Sequence, residues 1–250
     1  MCCFSGKVEE VKNTRIFARM GANGNQVLIY QMSLKSAQDV AMVLPIPVKP
    51  VQGEKAVTFF DFQRYPNLFE DLDEGFPATS ASYSNPFGAV PASAPPTLKV
   101  VSVGAYDASY VPSIADFSRL DEQFRLPENV WSQLPGYKDF GFAVFKLKSG
   151  NTEVHPMAFS FPSAWPKEIF FPTLHIHDGK IHKRERFDHT LYCQATEQDL
   201  RKWDESPRLA VSFAKCGLTH GMLKAEQHVY RRILHGNLIN SDLVVKSKMR

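Results

Sequence analysis

Four histidines and one cysteine crowd into the stretch HIHDGKIHKRERFDHTLYC, which spans residues 175–193. Imidazole nitrogen and thiolate sulfur are ligands for transition metals, so the stretch is a candidate metal site. The Asp-Gly pair at 178–179 lies between two extended runs and favours a two-residue type I′ turn. A hairpin with that turn would bring His175, His177 and His182 onto one face of the paired strands.

Three imidazoles on one face are able to hold one ion at metal–nitrogen distances of about 2.0–2.1 Å. Three protein ligands leave a coordination position open, which is typical of catalytic metal sites. The sequence therefore predicts a transition-metal-binding protein that holds Zn or Cu, suited to a metal-dependent hydrolase or oxidase. His189 and Cys193 fall on the opposite side of a regular strand and are weaker candidate ligands.

Two other interpretations of the same face stay open. Lys180, Arg184 and Arg186 share it with the three histidines. Their positive charge suits a carboxylate, a phosphate or an acidic patch on another protein better than it suits a cation. The chain would then be a non-catalytic binding module for an anionic ligand or an acidic partner. The remaining interpretation is a plain solvated sheet face, which needs polar residues whatever its function.

The first residues, MCCF, carry a second candidate site. Removal of Met1 would place the Cys2 thiol beside its own α-amino group, whose ordinary pKa of about 7.7–8 makes it a usable base. This arrangement makes Cys2 the candidate catalytic nucleophile of an N-terminal-cysteine hydrolase. The alternative is that Cys2 and Cys3 are two small buried residues at the start of a first strand.

The composition is that of a soluble globular protein: 250 residues, of which 44% are hydrophobic and 22% charged, with a net charge of +3. The small net charge gives no nucleic-acid signature, and no Walker loop or dinucleotide fingerprint indicates a nucleotide cofactor. No apolar run reaches the roughly 20 residues of a transmembrane helix. Four irregularly placed cysteines and an N-terminus unlike a secretory signal predict a cytoplasmic location.

Apolar runs between Gly-, Asn- and Pro-containing turns predict mostly β structure. TRIFARM and QVLIYQMSL flank the turn GANGN, and VAMVLPIPV, FGFAVFKLK and VHPMAFSF are further strand candidates. Capping and stop signals predict helices at 54–60 and 66–74, and others starting at Ser113, Thr196 and Ser206. The fold class predicted is α+β, a mostly antiparallel, sandwich-like β structure with several peripheral helices.

One segment departs from this pattern. Residues 78–97, ATSASYSNPFGAVPASAPPT, carry no charge and no hydrophobic period. A Ser/Ala/Pro-rich composition of this kind is typical of an exposed loop or a domain boundary. We therefore expect a single domain over residues 1–250, interrupted by this irregular segment.

The succession of several phrases resembles an uncharacterised bacterial domain family. They are the opening cysteines with an aromatic residue (Cys2, Cys3 and Phe4), LPIPV, VGAYD, FAVFKLK and HPMAFSFP. The resemblance extends over roughly residues 2–174 and implies no established activity, cofactor or partner. The histidine-rich stretch lies beyond it.

Overall fold

The computed structural model describes residues 2–76, 101–103, 106–126, 128–176 and 180–248. The described strands are β1 (Cys2–Phe4), β2 (Glu10–Met20), β3 (Asn25–Ser36), β4 (Val40–Ile46), β5 (Thr58–Phe60), β6 (Val101–Val103), β7 (Tyr106–Val111), β8 (Gly141–Leu147), β9 (Gly150–Pro162), β10 (Ile169–Phe171), β11 (His175–Ile176), β12 (Arg184–Gln194), β13 (Asp204–Glu205), β14 (Tyr230–Ile239) and β15 (Leu243–Val245).

Helices are few and short in the described part of the chain. The α-helices are α1 (Leu68–Glu74) and α2 (Glu128–Ser132). The 3-10 helices span Pro50–Lys55, Ile114–Arg119, Glu122–Phe124, Pro135–Tyr137, Ala210–Ser212 and Cys216–Leu218. No described helix is long and apolar enough to cross a membrane.

Two large sheets hold most of the strands. Sheet A has the strand order β11-β1-β4-β8-β7-β6, and sheet B has the order β13-β14-β12-β2-β3-β9-β5. A small third sheet joins β10 to β15. Most neighbours are antiparallel, but β1 with β11 and β2 with β12 run parallel. The β-rich class predicted from the sequence is confirmed, whereas the sheets are mixed rather than purely antiparallel.

The main core lies between sheets A and B. Alternate residues of sheet A, such as Met42 and Phe145, are buried in one cluster with residues of sheet B such as Tyr30 and Phe159. β4 is buried at all of its positions, because its second face is covered as well. Its unbroken apolar run VAMVLPI is the pattern expected of a strand with no solvated side.

Each sheet also has a covered outer face. On sheet A, Val43 and Val144 pack in a cluster with Phe117 and Leu126, which lie in the segment between β7 and β8. On sheet B, Phe17 and its neighbours pack against α1 and against residues of the long connection between β13 and β14. Apolar side chains on both faces of both sheets therefore give the molecule three separate clusters of buried side chains.

Of the helices predicted from the sequence, one is present and the others are replaced by different structure. The helix expected at 66–74 is present as α1, which ends before Gly75 as its stop signal indicated. Ser113 precedes a 3-10 helix rather than an α-helix. Residues 58–60 of the helix expected at 54–60 form strand β5, which pairs with β9, because the apolar pair Phe59 and Phe60 completes the sheet edge.

The α-helices expected to start at Thr196 and Ser206 are also absent. No helix begins at Thr196, and the connection after Ser206 contains two short 3-10 helices, Ala210–Ser212 and Cys216–Leu218, instead of an α-helix. The Ser206 hydroxyl is bonded to the carbonyl of Arg208 at 2.8 Å, so it stabilises a local turn instead of capping a helix. Residues 78–97 lie outside the described residues.

Candidate functional site

The predicted pairing of His175 with His182 is not present. His175 lies in β11, which pairs in parallel with β1 of sheet A, whereas β12 belongs to sheet B. The chain therefore passes from one sheet to the other between Ile176 and Arg184 instead of turning back on itself. His177 and the turn residues 178–179 lie outside the described residues. β11 pairs with β1, which is distant in the sequence, instead of with the residues after the Asp-Gly pair.

His175 and His182 consequently have opposite environments. His175 is 3% exposed between the sheets, and His182 is exposed and lies in no strand. Where the chain is described, no three His, Cys, Asp or Glu side chains are grouped so as to hold a metal ion. The predicted metal-binding face is therefore wrong, because the hairpin that would have built it is replaced by a crossing between sheets.

His175 instead meets His189 of β12. Their Nε2 atoms are 3.1 Å apart and their ring centroids 4.7 Å apart. The ring of Phe187 packs against both, at 4.5 Å from His175 and 5.2 Å from His189. His189 is fully buried, on the inward-facing side of β12. The alternation of Phe187, His189 and Leu191 along β12 was the sequence signal for this inward face, although the partner of His189 lies in another sheet.

Cys193, the other weak metal candidate, is a core residue. It is fully buried in the cluster between the sheets. Burial raises the pKa of its thiol, which keeps the sulfur protonated and unreactive at neutral pH. His189 and Cys193 share a face but lie four residues apart on an extended strand, or about 13 Å, which is too far for a common ion.

The N-terminal cysteines lie in the middle of a sheet. β1 is inserted between β4 and β11, with Cys2 beside His175 and Cys3 beside both Ile176 and Val43. Cys3 is fully buried in the outer cluster of sheet A. For Cys3 the structural alternative, a small buried residue in a first strand, is therefore confirmed.

A carboxylate that sequence reasoning missed holds this end of sheet A. The Oδ1 atom of Asp242 accepts hydrogen bonds from the backbone N–H groups of Thr173 and Leu174 at 2.8 and 2.9 Å. Its Oδ2 atom accepts one from the Tyr137 hydroxyl at 2.5 Å. Burial raises the pKa of the Asp242 carboxyl, and these hydrogen bonds oppose that shift. The Asp242 side chain thus fixes the irregular segment that leads into His175.

Asn240 holds the start of the crossing in the same way. Its Oδ1 atom accepts from the His175 N–H at 2.7 Å, and its Nδ2 atom donates to the carbonyls of His175 and His182 at 2.9 and 3.0 Å. One amide side chain thus ties both ends of the crossing between the sheets. The only signal in the sequence was a pair of polar residues, Asn240 and Asp242, directly after strand β14.

The basic residues of the anion-binding interpretation lie on the surface. Lys180, Arg184 and Arg186 are all exposed. Arg184 donates from Nη2 to the backbone carbonyl of Asn237 at 2.5 Å. A shallow depression at this place is lined by Arg184, Glu185, Arg186, His235, Gly236 and Asn237. Arg184 and Arg186 therefore share an exposed region, and the ligand of the predicted anion site stays a prediction.

The acidic side chains of α1 attach this helix to sheet B. Glu70 and Asp73 form ion pairs with Arg15 of β2, and the Tyr192 hydroxyl of β12 donates to Asp73 Oδ1 at 2.5 Å. Tyr65 donates to Asp71 Oδ2 at 2.7 Å. α1 is thereby fastened to the outer face of sheet B just before residue 77, the first residue after the described range 2–76.

Solved structures with a similar fold are known for this architecture. No family model and no curated protein matches the chain. The crystal structure of baculovirus P35 is similar at a TM-score of 0.53 and 12% identity, over 98% of this chain and 99% of that chain. A mutated P35 after caspase cleavage matches at a TM-score of 0.53 and 13% identity, over 94% and 99%. The caspase-8/P35 complex matches at 0.50 and 13%, over 94% and 96%.

At such low identity these matches show the fold alone: the chain has a P35-like fold. They overturn the function predicted from the sequence, because this fold is found in a protein in complex with caspase-8 rather than in a metal-dependent hydrolase or oxidase. The role of Cys2 as the nucleophile of an N-terminal-cysteine hydrolase stays a prediction. The resemblance to a bacterial domain family and the cytoplasmic location stay predictions.

Proposed function

We propose that this chain is a protease inhibitor, which acts by binding its target protease as a folded protein partner. The observation that carries the proposal is the fold shared with baculovirus P35 over 98% of this chain and 99% of that one. P35 is present in complex with caspase-8 in one of the matched structures and has been cut by a caspase in another. The likeness thus extends over the whole chain and does not rest on one sheet.

If an inhibitor is cleaved by the protease that it inhibits, it has to keep its fold after the cleavage. P35 after caspase cleavage still matches this chain at a TM-score of 0.53. In this chain both sheets combine strands from before and after residues 77–100: β4 of sheet A pairs with β8, and β3 of sheet B pairs with β9. Hydrogen bonds across both sheets would therefore hold the two parts together after a break in that segment.

The composition of residues 77–100 bears on the choice of target. This segment contains neither Asp nor Glu, so a protease that requires an acidic residue before the broken bond would not cut it. A protease that cuts there has to accept a neutral residue or Lys99 before the broken bond. Tests of inhibition therefore have to extend from caspases to other cysteine proteases.

The experiment is a titration of the purified full chain against caspase-8 and a panel of papain-like and other cysteine proteases. Residual activity is followed with a small peptide substrate for each enzyme. We expect stoichiometric loss of activity for at least one protease and co-elution of that protease with the chain on gel filtration. Full activity of every enzyme at about a hundredfold excess of the chain would refute the proposal.

Two controls separate inhibition from simpler outcomes. A mere substrate is cut while the protease stays active, so cleavage and residual activity are measured in the same sample. The variant Leu44→Asp places a charge in the fully buried β4 and is expected to unfold the chain. Inhibition that survives in this variant would show that the fold, on which the proposal rests, is not required.

A further inference from the structure

The outer edge of sheet B is open along most of β14. β13 pairs with Tyr230 and Arg231 alone. In the described part of the chain, no strand pairs with residues 232–239 on the side away from β12. The backbone N–H and C=O groups of such an edge are able to pair with an added strand.

The side chains of this edge are unusually apolar for a solvated position. Ile233 is 59% exposed and Ile239 is 64% exposed. Exposure alternates along β14, so His235 and Asn237 lie between them on the same face. Natural edge strands normally carry charges or prolines that discourage pairing. Two exposed isoleucines at one edge indicate a surface that a partner covers.

The neighbouring strand supplies positive charge to that face. Arg184 lies opposite Ile239 and Arg186 lies opposite Asn237 in the pairing of β12 with β14, and both arginines are exposed. Asp188, opposite His235, already accepts a hydrogen bond from the backbone N–H of Asn13 at 2.8 Å, and Glu185 is the acidic residue that lines the depression beside the two arginines. The face is therefore basic as well as apolar.

We propose that the β14 edge and its basic face dock an extended acidic segment of a protein partner, which adds a strand to sheet B. The backbone of the segment would pair with residues 232–239, its apolar side chains would cover Ile233 and Ile239, and its carboxylates would meet Arg184 and Arg186.

The first test uses a synthetic probe on the full chain. A labelled eight-residue peptide of alternating Glu and Val is titrated into the protein and followed by fluorescence anisotropy. Two matched peptides carry Lys in place of Glu, or N-methyl groups on alternate residues that remove backbone donors. We expect the Glu peptide to bind at least about tenfold more tightly than either, more weakly as salt is raised, and to slow amide exchange at residues 232–239.

The second test changes the protein. Arg184→Glu with Arg186→Glu should weaken binding of the Glu peptide at least about tenfold. Lys138→Glu with Lys148→Glu makes the same change in net charge at exposed residues elsewhere and should leave binding within about twofold. Equal loss in both double variants would overturn the proposal, because it would make the attraction a property of net charge.

The remaining outcomes also decide the question. Equal binding of the N-methylated peptide would exclude strand addition, and equal binding of the Lys peptide would exclude an acidic partner. A dimer that Ile233→Lys with Ile239→Lys converts to monomer would identify a second copy as the occupant and overturn the proposal. Should the arginine variants lose the far-ultraviolet circular dichroism of the parent, the peptide comparison on the parent protein decides alone.

Discussion

His175 and His189 meet between the two sheets with their Nε2 atoms 3.1 Å apart, and this contact links β11 of sheet A to β12 of sheet B. At this distance one ring donates its N–H and the other accepts it. Both side chains are buried, and loss of a hydrogen-bond partner is most costly in such a place. The pair therefore acts as a polar link between the two sheets.

The interaction between His175 and His189 can be tested with a double-mutant cycle. We expect His175→Phe and His189→Phe each to lower the free energy of unfolding by about 1–3 kcal/mol, because each leaves the other buried ring without this partner. The double variant should lose less than the sum of the two single losses. Urea unfolding followed by fluorescence gives the values, and strictly additive losses would show that the two rings are not coupled.

Gly75 lies where α1 meets Phe213. A Cβ atom on Gly75 would lie 2.6 Å from the Phe213 ring, so Gly75→Ala should force a shift and destabilise the fold by about 1–3 kcal/mol. Gly136→Ala is the matched control, because nothing lies within 4 Å of its added Cβ. Thermal unfolding of both variants is the measurement, and equal midpoints would contradict the close contact at Gly75.

The pH dependence of stability should carry a contribution from His155. Its ring stacks on Tyr106 at 4.6 Å, and burial lowers its pKa below the ordinary value of about 6.5. The unfolded chain therefore binds this proton first, so stability falls as the pH decreases from about 6.5 to the lowered pKa, with a slope of at most about 1.4 kcal/mol per pH unit.

The variant His155→Gln should remove this part of the acid loss of stability. The free energy of unfolding is measured from pH 8 to pH 5 in the parent and the variant. His182→Gln, at an exposed histidine, is the matched control and should keep the slope of the parent. A slope that is the same in all three proteins would show that His155 takes no part in it.

A single cut in residues 77–100 should leave the molecule in one piece. Residues 83–89 are replaced by a seven-residue recognition sequence for a site-specific protease, and the cut chain is passed over a gel filtration column. The two parts should co-elute and separate only in denaturant, because sheet A joins β4 to β8 and sheet B joins β3 to β9 across the cut. Separation in native buffer would contradict this, and the uncut protein is the reference.

The parts of the fold that sequence predicted correctly are those set by local patterns. The turn GANGN joins β2 to β3 in an antiparallel pair, with Met20 opposite Gln26, and α1 ends directly before its stop signal, Gly75. Such elements depend on neighbours within about ten residues, so a single sequence contains the information for them.

The histidine stretch was misread because its decisive contacts are distant. The local signal at 178–179 favours a hairpin, but β11 pairs with Cys2 and Cys3 at the other end of the chain, and His189 meets His175 through the packing of two sheets. Asn240 and Asp242, which fix the crossing, follow the stretch by about fifty residues. No period or spacing within residues 175–193 carries these relationships.

The two parallel pairs have a consequence for how the chain reaches its native state. Cys2 pairs with His175, and Thr14 pairs with His189, so each sheet contains a parallel pair whose partners are more than 170 residues apart in the sequence. Contacts of such wide separation are closed slowly, because a long loop has to be ordered before they form. On the ribosome, β1 and one edge of β2 remain open until β11 and β12 have emerged, and we expect nascent chains shorter than this to be the most prone to aggregation.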